Sequence, residues 1–257
     1  MPAIKNAKKP VENKAERVLI LRTCDSNMRS HGGFLWPKSG RVEAPDWKPT
    51  TACGNGLHGF LKGEGDGELA SWDVDAIWIA AWIDPALAID LSGKVKFPWA
   101  EVAVAGTKEE AIQFLRDNGC SGVIVGGTAT AGYRGTATAG YRGTATAGDG
   151  GTATAGDGGT ATAGYRGTAT AGDRGTATAG YRGTATAGYG GTATAGYGGT
   201  ATAGDGGTAT AGYGGILNIR WWDGSRYRIA TFYVGEDKVM PGTKYSVDES
   251  GKLREAK

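Results

Sequence analysis

Disulfide chemistry is the first thing this chain has little means for. It holds three cysteines, Cys24, Cys53 and Cys120, an odd number set far apart. That pattern fits reduced thiols in a cytosolic protein better than a disulfide framework. Long apolar runs are missing too. No stretch of 18 apolar residues occurs, so nothing reads as a membrane-spanning helix. The start of the chain has no apolar run after its charges, so no signal peptide is expected. An excess of charge is also absent, with 28 Lys and Arg against 26 Asp and Glu and a formal net charge of +2. The one basic cluster, Lys5, Lys8, Lys9 and Lys14, reads as a solvated flexible tail over 1–15. Nucleic-acid binding needs a basic face, and none is visible. These absences place the protein in the cytoplasm, or in a virion assembled there.

Glycine is what the chain has in abundance. There are 47, and 28 of them fall between Gly127 and Gly214. From Gly127 the octapeptide G-T-A-T-A-G-[YD]-[RG] repeats eleven times without an insertion. A fixed period means either a repeat architecture or a low-complexity disordered tract. Disorder gives no physical reason to keep Thr-Ala-Thr constant while the seventh and eighth positions change, so an ordered array is expected. Thr-Ala-Thr-Ala alternates with period two, as a strand must. The Gly-Tyr-Arg-Gly and Gly-Asp-Gly-Gly segments are turn chemistry.

One strand and one turn cannot close a coil, whereas two octapeptides can. The reading is a β-solenoid of 16 residues per coil, with about five and a half coils stacking to roughly 26 Å at about 4.8 Å each. Parity then sets the faces. Burying threonine hydroxyls would demand a partner for each, while burying alanine costs no polar group, so alanine faces in and threonine out. Val123 and Val125 continue the inward parity upstream. Downstream, Leu217 and Ile219 replace inward alanines in a twelfth unit, enlarged core residues fit for a cap. Trp221, Trp222, Tyr227 and a strand at 228–234 would complete that cap as a small meander.

Ahead of the array, strands are expected at 17–22, 76–83, 86–91 and 101–105. One helix is well marked: Thr107 and Glu110 form a capping box, Ala111, Phe114 and Leu115 an apolar stripe, and Gly119 a stop. The chain therefore divides into the tail at 1–15, an α+β domain at 16–120, the solenoid at 121–215 and a capping β segment at 216–257. The fold class is mainly β.

Two constellations on the array invite a role. Outward threonines form flat ladders: Thr128, Thr130, Thr136, Thr138, Thr144, Thr146, Thr152 and Thr154, continued by Thr160, Thr162, Thr168, Thr170, Thr176, Thr178, Thr184 and Thr186. Tyr165, Tyr181, Tyr197 and Tyr213 stack on one edge, an interface or a stiffening ladder. The other edge mixes Tyr141, Asp157, Asp173, Tyr189 and Asp205. There, Asp157 directly under Asp173 would repel mildly, with Arg174 beside Asp173 offsetting the repulsion. In the head, Cys24, His31, Cys53 and His58 have spacings that match no common zinc pattern. Arg22 and His58 in a cleft lined by Trp36 and Trp47 specify no reaction. No metal, cofactor or catalytic residue is assigned, and the protein is not expected to be an enzyme.

The run Thr186-Ala-Gly-Tyr-Gly-Gly-Thr-Ala-Thr-Ala195 resembles the repeat units of bacterial ice-nucleation proteins. That resemblance implies ice contact through the threonine rows, whose hydroxyl and methyl spacing is near that of water on ice faces. Asn55-Gly-Leu-His58, Gly93-Lys-Val-Lys-Phe97, Val234-Gly-Glu-Asp237 and Pro241-Gly-Thr-Lys-Tyr245 are similar to segments of phage and prophage proteins that carry such arrays. That second resemblance implies a context and no activity. The leading expectation is a structural or interaction protein, a rigid surface in a phage-derived setting with a protein partner or a second copy. Ice binding is the alternative, and a ligand-binding or enzymatic head the third.

Overall fold

The computed structural model describes residues 17–256, so the tail expected over 1–15 lies outside the described residues. Seven strands build the head: β1 (Val18–Cys24), β2 (Gly40–Glu43), β3 (Leu57–Leu61), β4 (Ile77–Ile83), β5 (Ile89–Asp90), β6 (Val95–Phe97) and β7 (Trp99–Gly106). They form one antiparallel sheet in the order β2-β7-β4-β1-β3-β6-β5. Alternation splits β1 between two cores, as a strand buried on both faces requires. Leu19 and Leu21 pack with Ala111 and Leu115 of the helix α1 (Lys108–Asp117), while Ile20 packs with Trp36, Ile79 and Phe97.

The capping box is present. Thr107 Oγ1 accepts from the Glu110 N–H at 3.2 Å, and Glu110 accepts from the Thr107 N–H at 2.8 Å. The strand expected at 86–91 is not one element. Pro85–Leu87 forms a 3₁₀ turn, capped by Asp84 accepting from the Ala86 N–H at 2.9 Å, and only Ile89–Asp90 pairs. Proline at the first turn position, with its fixed φ, favours the turn over a ladder.

Each octapeptide contributes one four-residue strand, from β8 (Thr128–Ala131) and β9 (Thr136–Ala139) at eight-residue intervals to β18 (Thr208–Ala211). Alternate strands pair in parallel and in register at a spacing of 16 residues. Thr144 lies between Thr128 and Thr160, and Ala145 between Ala129 and Ala161. The result is a β-solenoid of about six turns with two opposed sheets. Alanine faces in: Ala145, Ala153, Ala161, Ala169 and Ala177 are fully buried. Backbone groups bond to the coils on either side, as where the Thr144 N–H donates to the Gly127 carbonyl at 3.0 Å, and the alanine core adds no polar side chain to bury.

The corners account for the two variable positions. Each is a turn closed by an i→i+3 bond, such as the Gly183 N–H to the Gly180 carbonyl at 3.0 Å. Its third residue has positive φ whether it is glycine (Gly190, +62°) or arginine (Arg182, +54°). The first and sixth glycines are constrained differently, by space. A Cβ on Gly175 would lie 2.8 Å from the Ala171 methyl, and one on Gly180 would lie 2.9 Å from the Gly164 carbonyl of the preceding coil.

Both ends of the solenoid are closed. Val123 and Val125 do not prolong the inward row. Val125 is buried in the helix-side core of the head beside Ile124, and Val123 is 40% exposed. No strand forms there, because backbone contacts take over: the Val125 N–H donates to the Gly63 carbonyl at 2.9 Å, and the Gly126 N–H to the Tyr141 carbonyl at 2.9 Å. Trp72 seals this junction, its ring 5.6 Å from Tyr141 and 5.3 Å from Trp78.

At the far end β19 (Ile216–Trp222) pairs in parallel with the strand Thr200–Ala203, setting Leu217 and Ile219 over Ala201 and Ala203, with both side chains buried. The strand β20 (Tyr227–Tyr233) then pairs antiparallel with β19. On the other sheet β21 (Tyr245–Val247) pairs antiparallel with β18 and carries β22 (Leu253–Glu255). The cap is two hairpins, one per sheet, rather than one meander. Val234, Val239 and Tyr245 are buried with Leu217 and Ile219, whereas Trp222 and Tyr227 are about half exposed and pack on each other at 5.0 Å.

Candidate functional site

Two threonine faces, on opposite sides of the slab, are the most regular surface of the molecule. One sheet presents Thr128 and Thr130, Thr144 and Thr146, Thr160 and Thr162, Thr176 and Thr178. The other presents Thr136 and Thr138, Thr152 and Thr154, Thr168 and Thr170, Thr184 and Thr186. The sixteen threonines singled out from the sequence are therefore divided between two surfaces that cannot touch one flat object together.

Three further rungs complete the faces: Thr192 and Thr194, Thr200 and Thr202, Thr208 and Thr210. The same octapeptide marked them in the sequence. Rungs repeat at about 4.8 Å and the two threonines of a rung at about 6.7 Å. The leading threonine of each strand is exposed as far as Thr184, and the trailing one is half-buried from Thr154 onward. A β-branched side chain in a strand has few χ1 options, which keeps each hydroxyl and methyl in place. Among the described residues one array hydroxyl meets another, Thr208 Oγ1 donating to Thr192 Oγ1 at 3.3 Å. The charged residues of the repeat sit only at corners, so both faces are neutral.

The corner stack at Tyr165, Tyr181, Tyr197 and Tyr213 forms the expected ladder. Ring centroids are 5.5, 5.3 and 6.0 Å apart, the first two pairs nearly parallel. Arg166 and Arg182 lie 5.4 Å over Tyr165 and Tyr181, a cation–π arrangement that adds to the stacking. On the opposite edge Asp157 and Asp173 do not act as repelling neighbours. Asp157 Oδ1 accepts from the backbone N–H of Asp173 at 2.8 Å, and Asp173 Oδ1 from that of Tyr189 at 2.8 Å. Sequence spacing placed these residues one above another but gave no sign that the carboxylate would turn to the backbone.

In the head, His31, Cys53 and His58 line one cleft of about 440 Å³ with Arg22. Among the described residues no three His, Cys, Asp or Glu side chains converge as a metal would require. Cys24 and Cys120 are buried, and burial pushes both thiols up. The expected walls differ. Trp36 is buried beneath Arg22, 4.2 Å from its guanidinium, and Trp47 lies against Lys96, so Phe34, Leu57 and Phe60 line the cleft instead.

No family model matches the chain, and no solved structure matches it. Curated relatives do. The chain is 47% identical over 104 residues to the ice nucleation protein InaU of Pantoea ananas, covering 40% of this chain and 10% of that one. An ice nucleation protein of Enterobacter agglomerans is 47% identical over 104 residues, covering 40% and 8%. One from Pseudomonas syringae is 42% identical over 102 residues, covering 39% and 9%. The chain thus spans about a tenth of the length of these relatives. These matches conflict with the cytoplasmic location expected from the sequence, and association with a virion is not shown. Unpaired thiols are a poor guide to compartment here because two of the three are buried, out of reach of another thiol. Among the described residues no helix is long and apolar enough to cross a membrane. Over about two fifths of its length the chain is similar to bacterial ice nucleation proteins.

Proposed function

We propose that the solenoid binds ice through its threonine faces. The observation that carries this reading is the register: threonine stacks on threonine along six consecutive rungs of one sheet and five of the other, with no charge in either plane. Hydroxyls that have no protein partner remain available to water, and the methyls between them exclude it from the same plane. The backbone ladder holds that pattern rigid, so ordered water meets a surface that has already lost its freedom. The similarity to ice nucleation proteins supports the same reading.

Length limits what this surface does. Six rungs span about 24 Å at about 4.8 Å per rung. A patch of that size holds on to an existing crystal plane, but the stretch it shares with proteins named for ice nucleation is only about a tenth of their length. Adsorption is therefore the activity proposed, and initiation of freezing is not. Association of two copies through one flat face would still leave the second face open. The test is the shape of single ice crystals growing in the purified protein, together with the gap between melting and growth temperatures. Faceted crystals and a measurable gap are expected. Round, unshaped crystals at millimolar protein would overturn the proposal and leave the solenoid as a rigid spacer between head and cap.

A further inference from the structure

A cation drawn out of water without a counter-charge is costly, and beside one cleft the head carries a fully buried lysine and a half-buried arginine. Arg22, near the end of β1, donates from Nη1 to the His58 carbonyl at 3.1 Å and from Nη2 to the Thr23 carbonyl at 3.3 Å. Its Nε is buried and has no partner. Lys96, fully buried, donates to the Ala52 carbonyl at 2.8 Å. Among the described residues neither makes an ion pair. Lys94 joins Arg22 in the cleft wall, and the one carboxylate there, Asp46, already accepts from Asn55 at 3.1 Å.

The cleft exists because two strands part. The ladder between β1 and β3 holds at Ile20↔Leu61 and Leu21↔Phe60 and then stops, leaving Arg22 and His58 at the opening. His58 Nε2 is buried there without a partner. Phe34, Leu57 and Leu69 supply an apolar wall, and about 440 Å³ is ample for a small molecule.

We propose that this cleft binds a small organic anion, whose carboxylate or phosphate group supplies the counter-charge that Arg22 and Lys94 lack. The apolar part of that molecule lies against Phe34 and Leu69. The state of His58 agrees with the local sign of the field. Burial, then Lys94, Arg22 and Lys96, hold its imidazole down to about 4, with Asp46 the opposing charge. The cationic surroundings that resist a proton on His58 attract an anion to the same place.

The experiment titrates the full chain with benzoate, phenyl phosphate and, as a cation of similar shape, benzamidinium. Calorimetry and the ring signals of His58 are followed together. Saturable binding of one or both aromatic anions is expected, with the His58 ring titrating at higher pH once the site is filled. Preference for phenyl phosphate or for benzoate identifies which anionic group the cleft takes. Arg22→Met removes the guanidinium of the cleft wall and should abolish binding. Because that variant risks unfolding, Lys94→Met at the rim provides the second arm and should weaken binding about tenfold while leaving the fold intact. Absence of saturation by either anion, an equal response to benzamidinium, or binding indifferent to Lys94→Met would overturn the proposal. The threonine faces take no part, so this cleft and the ice surface stand or fall separately.

Discussion

Asp157 Oδ1 accepts a 2.8 Å hydrogen bond from the backbone N–H of Asp173, the residue one coil further along. Asp149 does the same for Tyr165, and Asp173 for Tyr189. Stacked carboxylates would oppose one another if both pointed away. Here each points along the stack and satisfies a corner donor, a charge-assisted bond that offsets the repulsion.

That arrangement separates the carboxylate's charge from its role as an acceptor. Asp157→Asn keeps an oxygen in place and should change stability by less than about 0.5 kcal/mol. Asp157→Ala removes the oxygen and should cost about 1 kcal/mol. Urea unfolding of both variants checks this. Equal losses would show that the acceptor is not what matters.

Glycines at two different positions of the corner turn should respond very differently to one added methyl. Gly198, at φ +62°, occupies the position where five octapeptides carry arginine, and its nearest neighbour is the flexible Arg182 side chain at 3.4 Å. Gly198→Ala should cost about 1 kcal/mol, the expense of a left-handed residue. Gly180→Ala drives a methyl to 2.9 Å from the Gly164 carbonyl carbon and oxygen. Neither coil yields without breaking its ladder, so the loss should reach about 3 kcal/mol or more. A thermal melt showing the two variants alike would refute this division of roles.

Coil length is tested by deletion. Removing 16 residues, Gly159 to Arg174, takes out one strand from each sheet and leaves every later strand on its own side. A folded, shorter protein with both cap hairpins paired is expected. Removing only Gly167 to Arg174 sends each later strand to the opposite sheet, so the cap meets the wrong edges and the protein should melt well below the longer deletion. Equal melting temperatures would contradict the pairing of residue i with i+16.

The ice surface is tested on both faces at once. Thr168 belongs to the strand Thr168–Ala171 of one sheet and Thr176 to Thr176–Ala179 of the other. Either lysine substitution alone leaves one intact face, so crystal shaping should persist at reduced strength. Thr168→Lys with Thr176→Lys should abolish shaping, while the circular dichroism spectrum and melting temperature stay near those of the parent. Undiminished shaping by the double variant would remove the threonine faces from the mechanism.

Most of the solenoid was legible from the octapeptide alone. Period two within Thr-Ala-Thr-Ala and the high cost of burying hydroxyls set alanine inward, and the need for two strands per coil set 16 residues per turn. Leu217 and Ile219 were readable as the last inward pair because they fall in phase with the alanines. The phase misled at the other end. Val123 and Val125 share it, yet the head claims Val125 for its own core. Of the head, the helix was clear from its capping box. Of the cleft, Arg22 and His58 were legible but its walls were not, because it opens where the β1–β3 ladder stops, a feature of strand divergence that no local pattern encodes.

The sequence by itself determined the repeat, its period and which side chains face water, since these follow from local sterics and the cost of burying polar groups. Tertiary structure alone decided how the stack ends. Trp72 against Tyr141 and the two antiparallel hairpins of the cap join residues far apart in the chain, or on different elements. It also decided that Arg22 should lie half-buried, its Nε enclosed and no carboxylate beside it, because a counter-charge is a matter of distance in space, and composition records only that the charges of the whole chain nearly cancel.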